Sequence, residues 1–269
     1  MIFDTHTHYD DDQFEMDREE LLLSLKESGI LAVANMGATM QGAKDSVALA
    51  KQYPFVYAAV GIHPDHAKDL NEEEFAVLKD LAKEEKVVAI GEIGLDYYWD
   101  STERDVQKFW FKRQMELALE LDYPVVIHSR EAAADTFEII KETYEQSGGK
   151  LKGVIHCYSY GVEQAKEYLK MGFFLGIGGV ATFKNGRKLK EVIEAVPLER
   201  MVLETDCPYL APEPYRGKRN HSGYLSYVVA AIASIKGVSE EEVERMTWEN
   251  ALLLYPGAEG VKVTEEIER

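Results

Sequence analysis

Val87-Val88-Ala89-Ile90-Gly91-Glu92 is an apolar run closed by an acid, and Ile93-Gly94-Leu95-Asp96 follows directly. Branched and small apolar residues with no charge before Glu92 are the pattern of a parallel strand buried on both faces. Seven further runs resemble it: Ile2–Thr5, Ile30–Met36, Val56–Gly61, Val125–His128, Val154–His156, Phe173–Ile177 and Met201–Glu204. Stretches of helical period lie between them. Arg18–Ser28 sets Leu21, Leu22 and Leu25 on one face. Glu103–Leu121 carries Val106, Phe109, Trp110, Leu117 and Leu121 behind a capping region at Ser101-Thr102-Glu103. Ala132–Gln146 stops at Gly148-Gly149. Helices near Tyr224–Lys236 and Glu240–Tyr255 close the chain, and the charged end Thr264–Arg269 is expected to fray. Eight strand–helix alternations predict an α/β fold, a closed (β/α)8 TIM barrel forming one domain over residues 1–269. The competing arrangement is an open doubly wound sheet, but no glycine-rich phosphate loop follows any strand run.

Bulk properties bound the function. A hydrophobic fraction of 46% fills a large core, and 29% charged residues leave no reason to expect disorder. The formal net charge of −18 argues against broad, sequence-independent coating of a nucleic acid backbone. It does not decide the charge at the mouth of one cleft, where bound dications would add positive charge. Two cysteines at no zinc-finger spacing, Cys157 and Cys207, fit a reducing compartment. No leader pattern and no apolar segment of membrane-spanning length is seen, so the expectation is a cytoplasmic protein with no membrane partner.

Five of the seven histidines fall at or just after strand ends: His6, His8, His63, His128 and His156. Glu92 ends the fourth run, and Glu204 with Asp206 ends the eighth. In a barrel these ends converge on one face, where active sites are built. His6 and His8 are alternate residues, so both imidazoles can address one ion. Glu92, with two carboxylate oxygens, can bridge two cations. His128 and His156 close adjacent strands and are read as ligands, although a single buried histidine is as often a core residue. Asp206 is placed to bind one metal and accept a proton from an activated water, with Glu204 as a supporting acid. His63, in Gly61-Ile62-His63-Pro64, is read as a substrate contact. His66 and His221 are not expected to ligate, and Cys157 is expected to be buried.

The set Phe3-Asp4-Thr5-His6-Thr7-His8, Gly61-Ile62-His63-Pro64, Gly91-Glu92-Ile93-Gly94-Leu95-Asp96, Pro124–His128 and Leu203-Glu204-Thr205-Asp206 resembles the TatD family of metal-dependent deoxyribonucleases, in the amidohydrolase superfamily. The resemblance implies a TIM barrel holding two divalent ions. By it, His6, His8, Glu92 and Asp206 hold the first, and Glu92 bridges to a second completed by His128 and His156. It also implies 3′→5′ exonuclease activity on DNA, with RNA and aminoacyl-tRNA deacylation reported in the family. Two segments depart from the family pattern. His221-Ser222 stands where Glu-Pro is usual after Asn220, and Tyr160 intervenes between His156-Cys157 and Gly161.

With the resemblance, the expectation is a phosphodiester hydrolase using a water activated by two divalent ions, Mg, Mn or Zn, with catalytic roles for Asp206 and Glu92. Arg130, Lys218 or Arg219 would anchor an adjacent phosphate, and Tyr98, Trp99, Tyr158 or Tyr215 would stack on a base. DNA ends or single strands are the expected substrate, and a monomer is expected rather than an obligate oligomer. The alternative keeps the site and changes the substrate to a carbonyl, as in an amidase, lactonase or deacylase. A non-enzymatic binding barrel with structural histidines is the reading from a different class.

Overall fold

The computed structural model describes residues 1–99 and 101–258. Eight strands are placed in chain order: β1 (Ile2–Thr7), β2 (Ile30–Met36), β3 (Val56–Val60), β4 (Val87–Asp96), β5 (Val125–Arg130), β6 (Gly153–Ile155), β7 (Phe174–Ile177) and β8 (Met201–Leu203). All neighbours pair in parallel in the order β1 to β8. A parallel bridge between Thr7 and Cys207 brings the last strand's extension back to the first. There His8 N donates to Cys207 O at 2.9 Å and Asp206 N donates to His6 O at 3.0 Å. This is the (β/α)8 barrel expected from the alternation.

Among the described residues nine helices accompany the strands: α1 (Arg18–Ser24), α2 (Met40–Gln52), α3 (Glu72–Leu81), α4 (Arg104–Leu121), α5 (Ala133–Gln146), α6 (Val162–Lys170), α7 (Arg187–Ala195), α8 (Leu225–Lys236) and α9 (Glu240–Leu254). Among the described residues no helix is long and apolar enough to cross a membrane.

The two faces of each strand build two cores. Ile127, Ile155, Leu175 and Leu203 face outward and pack with helix residues such as Phe111, Met115 and Ile140. Phe3, Ala34, Val88, Val126, Val154 and Val202 fill the barrel interior. Trp248, Leu254, Tyr255 and Ala258 join that inner cluster. Tyr255 donates to Thr5 O at 3.0 Å and Tyr57 donates to Ala258 O at 3.1 Å, so the chain's last described turns cover the N-terminal opening. Side chains two apart share a face of a strand. Val126, Val154 and Val202 inside the barrel are therefore succeeded, toward the mouth, by His128, His156 and Glu204.

Element limits differ from the sequence reading where polar residues continue a strand. β4 runs four residues past Glu92 with all ten residues buried, and β5 runs two past His128. The Arg18–Ser28 helix breaks into α1 and a 3-10 turn, Leu25–Ser28, which ends at Gly29 with φ of 75°. No side-chain cap forms at Glu103; Thr102 Oγ1 instead donates to Asp65 O at 2.9 Å, tying the loop before α4 to the loop after β3. The stop at Gly148 and Gly149 is present, both with positive φ and with Gly149 N donating to Tyr144 O. Thr264–Arg269 lies outside the described residues.

Candidate metal centre

Six of the residues singled out as ligands meet at the C-terminal mouth of the barrel. Four donor atoms form the tighter group. His6 Nε2 lies 3.2 Å from His8 Nε2, 3.3 Å from Glu92 Oε2 and 3.7 Å from Asp206 Oδ1. His8 Nε2 lies 3.6 Å from the same Glu92 oxygen and 3.4 Å from the same Asp206 oxygen. A tetrahedral ion with ligand bonds of about 2.0–2.2 Å needs donors about 3.3–3.6 Å apart. The spacing fits such an ion, and the donors are the imidazole nitrogens and carboxylate oxygens that divalent metals take.

The other oxygen of Glu92 faces a second group. Its Oε1 lies 2.9 Å from His128 Nδ1, 3.7 Å from His156 Nε2 and 3.9 Å from His63 Nε2. His156 Nε2 is also 3.7 Å from Asp206 Oδ1, and its ring stacks on His6 with centroids 3.5 Å apart. Three buried side-chain atoms among the described residues lack a hydrogen-bond partner: His6 Nδ1, His156 Nδ1 and Glu204 Oε2. All three belong to this centre. Unmade bonds on buried polar atoms cost about 1–3 kcal/mol each. Their concentration here marks a site whose electrostatics the protein alone does not complete.

Neighbouring groups hold the donors in place. Asp96, buried, has Oδ2 at 3.0 Å from His128 Nε2, and its Oδ1 accepts from Tyr98 N at 2.8 Å and Trp99 N at 3.1 Å. Glu204 stands 3.2 Å from His156 Nδ1, outside hydrogen-bond geometry, and accepts from Cys157 N at 2.5 Å. Any side chain at Gly176 would collide with the Glu204 carboxylate. Asp4 clasps β1 to the Asp206 loop by accepting from Thr205 N at 2.9 Å and Thr205 Oγ1 at 2.6 Å. Asn220, fully buried, donates to Thr205 O and Tyr209 O at 2.9 and 2.7 Å and pins the same loop. Asp206 and Cys157 both sit in the left-handed region, φ 56° and 44°, a backbone cost of about 1–3 kcal/mol that surrounding bonds must sustain.

Burial and charge set the protonation of the centre. Burial alone pulls the histidines toward neutrality, yet three of them end up charged. His8, hydrogen-bonded to Asp206 and near Glu92, is raised to about 9. His128, between Asp96 and Glu92, and His156, beside Glu204 and Asp206, are each also raised to about 9. His6 is lowered by burial and by the His156 charge. Burial opposes charge on Glu92, but the surrounding imidazoles hold it well below the usual carboxylate range.

His63 is lowered to about 3 by burial and by the charge of His128. Its Nδ1 accepts from Asp65 N at 3.2 Å. The proton of the neutral ring therefore sits on Nε2, which faces the centre as a donor.

The remaining expectations divide. Arg130 is exposed, with its guanidinium 3.9 Å above the Tyr98 ring. Lys218 is exposed and forms no ion pair among the described residues. Arg219 is engaged: it donates to Asp17 Oδ1 at 2.7 Å and to Gln13 O at 2.7 Å, and lies over Phe14. Tyr158 is buried with its hydroxyl donating to Gly161 O, and Tyr215 stacks on Tyr224 at 4.2 Å, so neither ring has an open face like those of Tyr98 and Trp99. Cys157 is half-buried rather than buried, because it opens onto the loop that also carries exposed Ser159. His66 is half exposed, and His221 caps a short 3-10 turn by accepting from Gly223 N. Tyr160, one of the departures from the family pattern, shares a 2.8 Å hydrogen bond with Ser129. The sequence alone assigns no role to Asp96 or Asn220.

A family model described as TatD related DNase matches residues 3–256. The chain belongs to the TatD family. It is 42% identical to YabD of Bacillus subtilis, an uncharacterized metal-dependent hydrolase, over 95% of this chain and 99% of that protein. It is 31% identical to the 3′-5′ ssDNA/RNA exonuclease TatD of Erwinia tasmaniensis, over 94% and 99%. Among solved structures, the TatD homolog YJJV of Escherichia coli K12 superposes with a TM-score of 0.88 at 27% identity, covering 95% of this chain and 98% of that one.

Proposed function

We propose that this TatD-family metal-dependent hydrolase removes nucleotides from the 3′ end of single-stranded DNA, using two divalent ions of the Mg, Mn or Zn class. The observation that carries the reading is the division of Glu92: Oε2 faces His6, His8 and Asp206, while Oε1 faces His128 and His156. His6, His8, Glu92 and Asp206 would hold one ion, and Glu92, His128 and His156 the other. Ions held there would supply Lewis acidity at a phosphoryl oxygen and a lowered pKa for water. The relatives named as single-strand exonucleases support the choice of substrate.

The chain's own groups then divide the labour. Asp206 has 18% of its side chain exposed against 5% for Glu92, so Asp206 is the carboxylate that meets water and takes its proton. Glu92 stays ionised and buried, fixing the two donor groups relative to each other. Asp96 keeps the His128 Nε2 proton, which leaves Nδ1 free to face Glu92 and its neighbours. His63 Nε2–H, neutral at pH 7, donates to an oxygen of the substrate. Arg130 and Lys218 are the exposed cations that meet the next phosphate. Arg219, held by Asp17, braces the loop instead.

Metal content tests the assignment. Protein loaded with Mn²⁺ and freed of excess should carry two equivalents, and His128→Ala should carry one. Two equivalents in His128→Ala would remove that residue from the ligand set.

A further inference from the structure

Two large aromatic side chains stand open beside the centre. Trp99 is 62% exposed and Tyr98 50% exposed, whereas Trp110 and Trp248 are each 6% exposed. The pair is arranged edge to face with centroids 5.0 Å apart. Arg130 caps it, its guanidinium 3.9 Å from the Tyr98 centroid and 5.5 Å from that of Trp99. An exposed Trp and Tyr with an arginine across them is a cluster that folding alone does not demand, because at least half of each ring is left to water.

The cluster is also rigidly joined to the donor atoms. Asp96 accepts both main-chain N–H groups of Tyr98 and Trp99 on one oxygen and meets His128 Nε2 with the other. Tyr97 N donates to Arg130 O at 2.9 Å, and β4 and β5 pair with Gly94 opposite His128 and Asp96 opposite Arg130. His128 and Arg130 thus share one face of β5, about 6.6 Å apart along the strand. An extended nucleotide unit spans a comparable length.

We infer that Tyr98, Trp99 and Arg130 form a subsite for one unpaired nucleobase and its phosphate, a reading that rests on the nucleic-acid substrate proposed above. The base lies against the open indole or phenol face, and the guanidinium, already stacked, turns its N–H fork to the phosphate. A paired base keeps its faces stacked in the duplex and is refused, which makes the subsite a selector for single strands.

The test uses the whole protein in EDTA, so that binding is read without turnover. Addition of a single-stranded DNA, long enough that its blunt duplex stays paired at the assay temperature, should quench the fluorescence of exposed Trp99 to saturation, and that duplex should not. Trp99→Phe should lose the quench while keeping affinity, read by anisotropy of a labelled strand. Trp99→Ala should weaken that affinity roughly ten-fold, the size of one base–aromatic stack, and Tyr98→Ala should also weaken it. Unchanged affinity in Trp99→Ala overturns the subsite, and digestion of the strand by the parent protein with metal would leave the exonuclease reading standing. Equal affinity of the parent for strand and duplex overturns the subsite as well. Unfolding is excluded by matching thermal melts.

Discussion

Asp96→Asn tests how the protein positions His128, a metal ligand in the function proposed above. In the native chain Oδ2 of Asp96 meets His128 Nε2 at 3.0 Å, while Oδ1 accepts the N–H groups of Tyr98 and Trp99. The amide oxygen of Asn keeps the two main-chain bonds, which leaves an NH₂ group facing His128. That donor requires an unprotonated Nε2, so the ring proton moves to Nδ1, the nitrogen 2.9 Å from Glu92 Oε1. In the proposed assignment that nitrogen faces the cation, and in the variant it carries the hydrogen of the neutral ring. Loss of such a carboxylate–histidine partner costs about 10–100-fold in metal affinity or activity, about 1.4–2.7 kcal/mol. The assay is Mn²⁺ titration followed by calorimetry, with kcat measured on a labelled strand and a thermal melt of the metal-free variant. A variant that binds both Mn²⁺ equivalents as tightly as the parent, with unchanged kcat, would refute the reasoning.

Two other outcomes follow from the geometry. His8, His128 and His156 are each raised to about 9 in the metal-free protein, so they are protonated at pH 7 and must lose those protons to ligate. Mn²⁺ binding at pH 7 should therefore release at least one proton, seen as a dependence of the binding enthalpy on the buffer's ionisation enthalpy, and apparent affinity should climb as pH rises toward 9; binding enthalpy independent of buffer would contradict this. Arg219→Ala should cost below about 1 kcal/mol in a denaturant melt, as a part-exposed ion pair does, and should leave KM for a strand unchanged, while Lys218→Ala raises KM; the reverse order would restore Arg219 to substrate contact.

The barrel was legible because buried parallel strands write themselves as apolar runs, and eight of them fit few other closures. The residues gathered at the mouth of the barrel were legible for a related reason. An acid or imidazole ending an apolar run, as in Ile127-His128 or Ile155-His156, has few partners inside a barrel other than each other. Strand limits were harder to read. Glu92 looks like an end because it is charged, yet Ile93 and Leu95 carry β4 onward to Asp96, which is buried between β5 and Gln107 of α4. That placement depends on pairing register, which a single run does not contain. The fates of Arg219, Tyr158 and Trp99 were hidden in the same way: whether a cation or ring is open or engaged depends on residues such as Asp17 that are remote in sequence.

The central claim is tested most directly with 3′-end-labelled single-stranded DNA, incubated with Mg²⁺ or Mn²⁺ and without metal, beside His128→Ala. The account expects metal-dependent release of the label as mononucleotide, lost in the variant. No release under any metal, from protein that carries its ions, would contradict it and move the same centre to a carbonyl substrate.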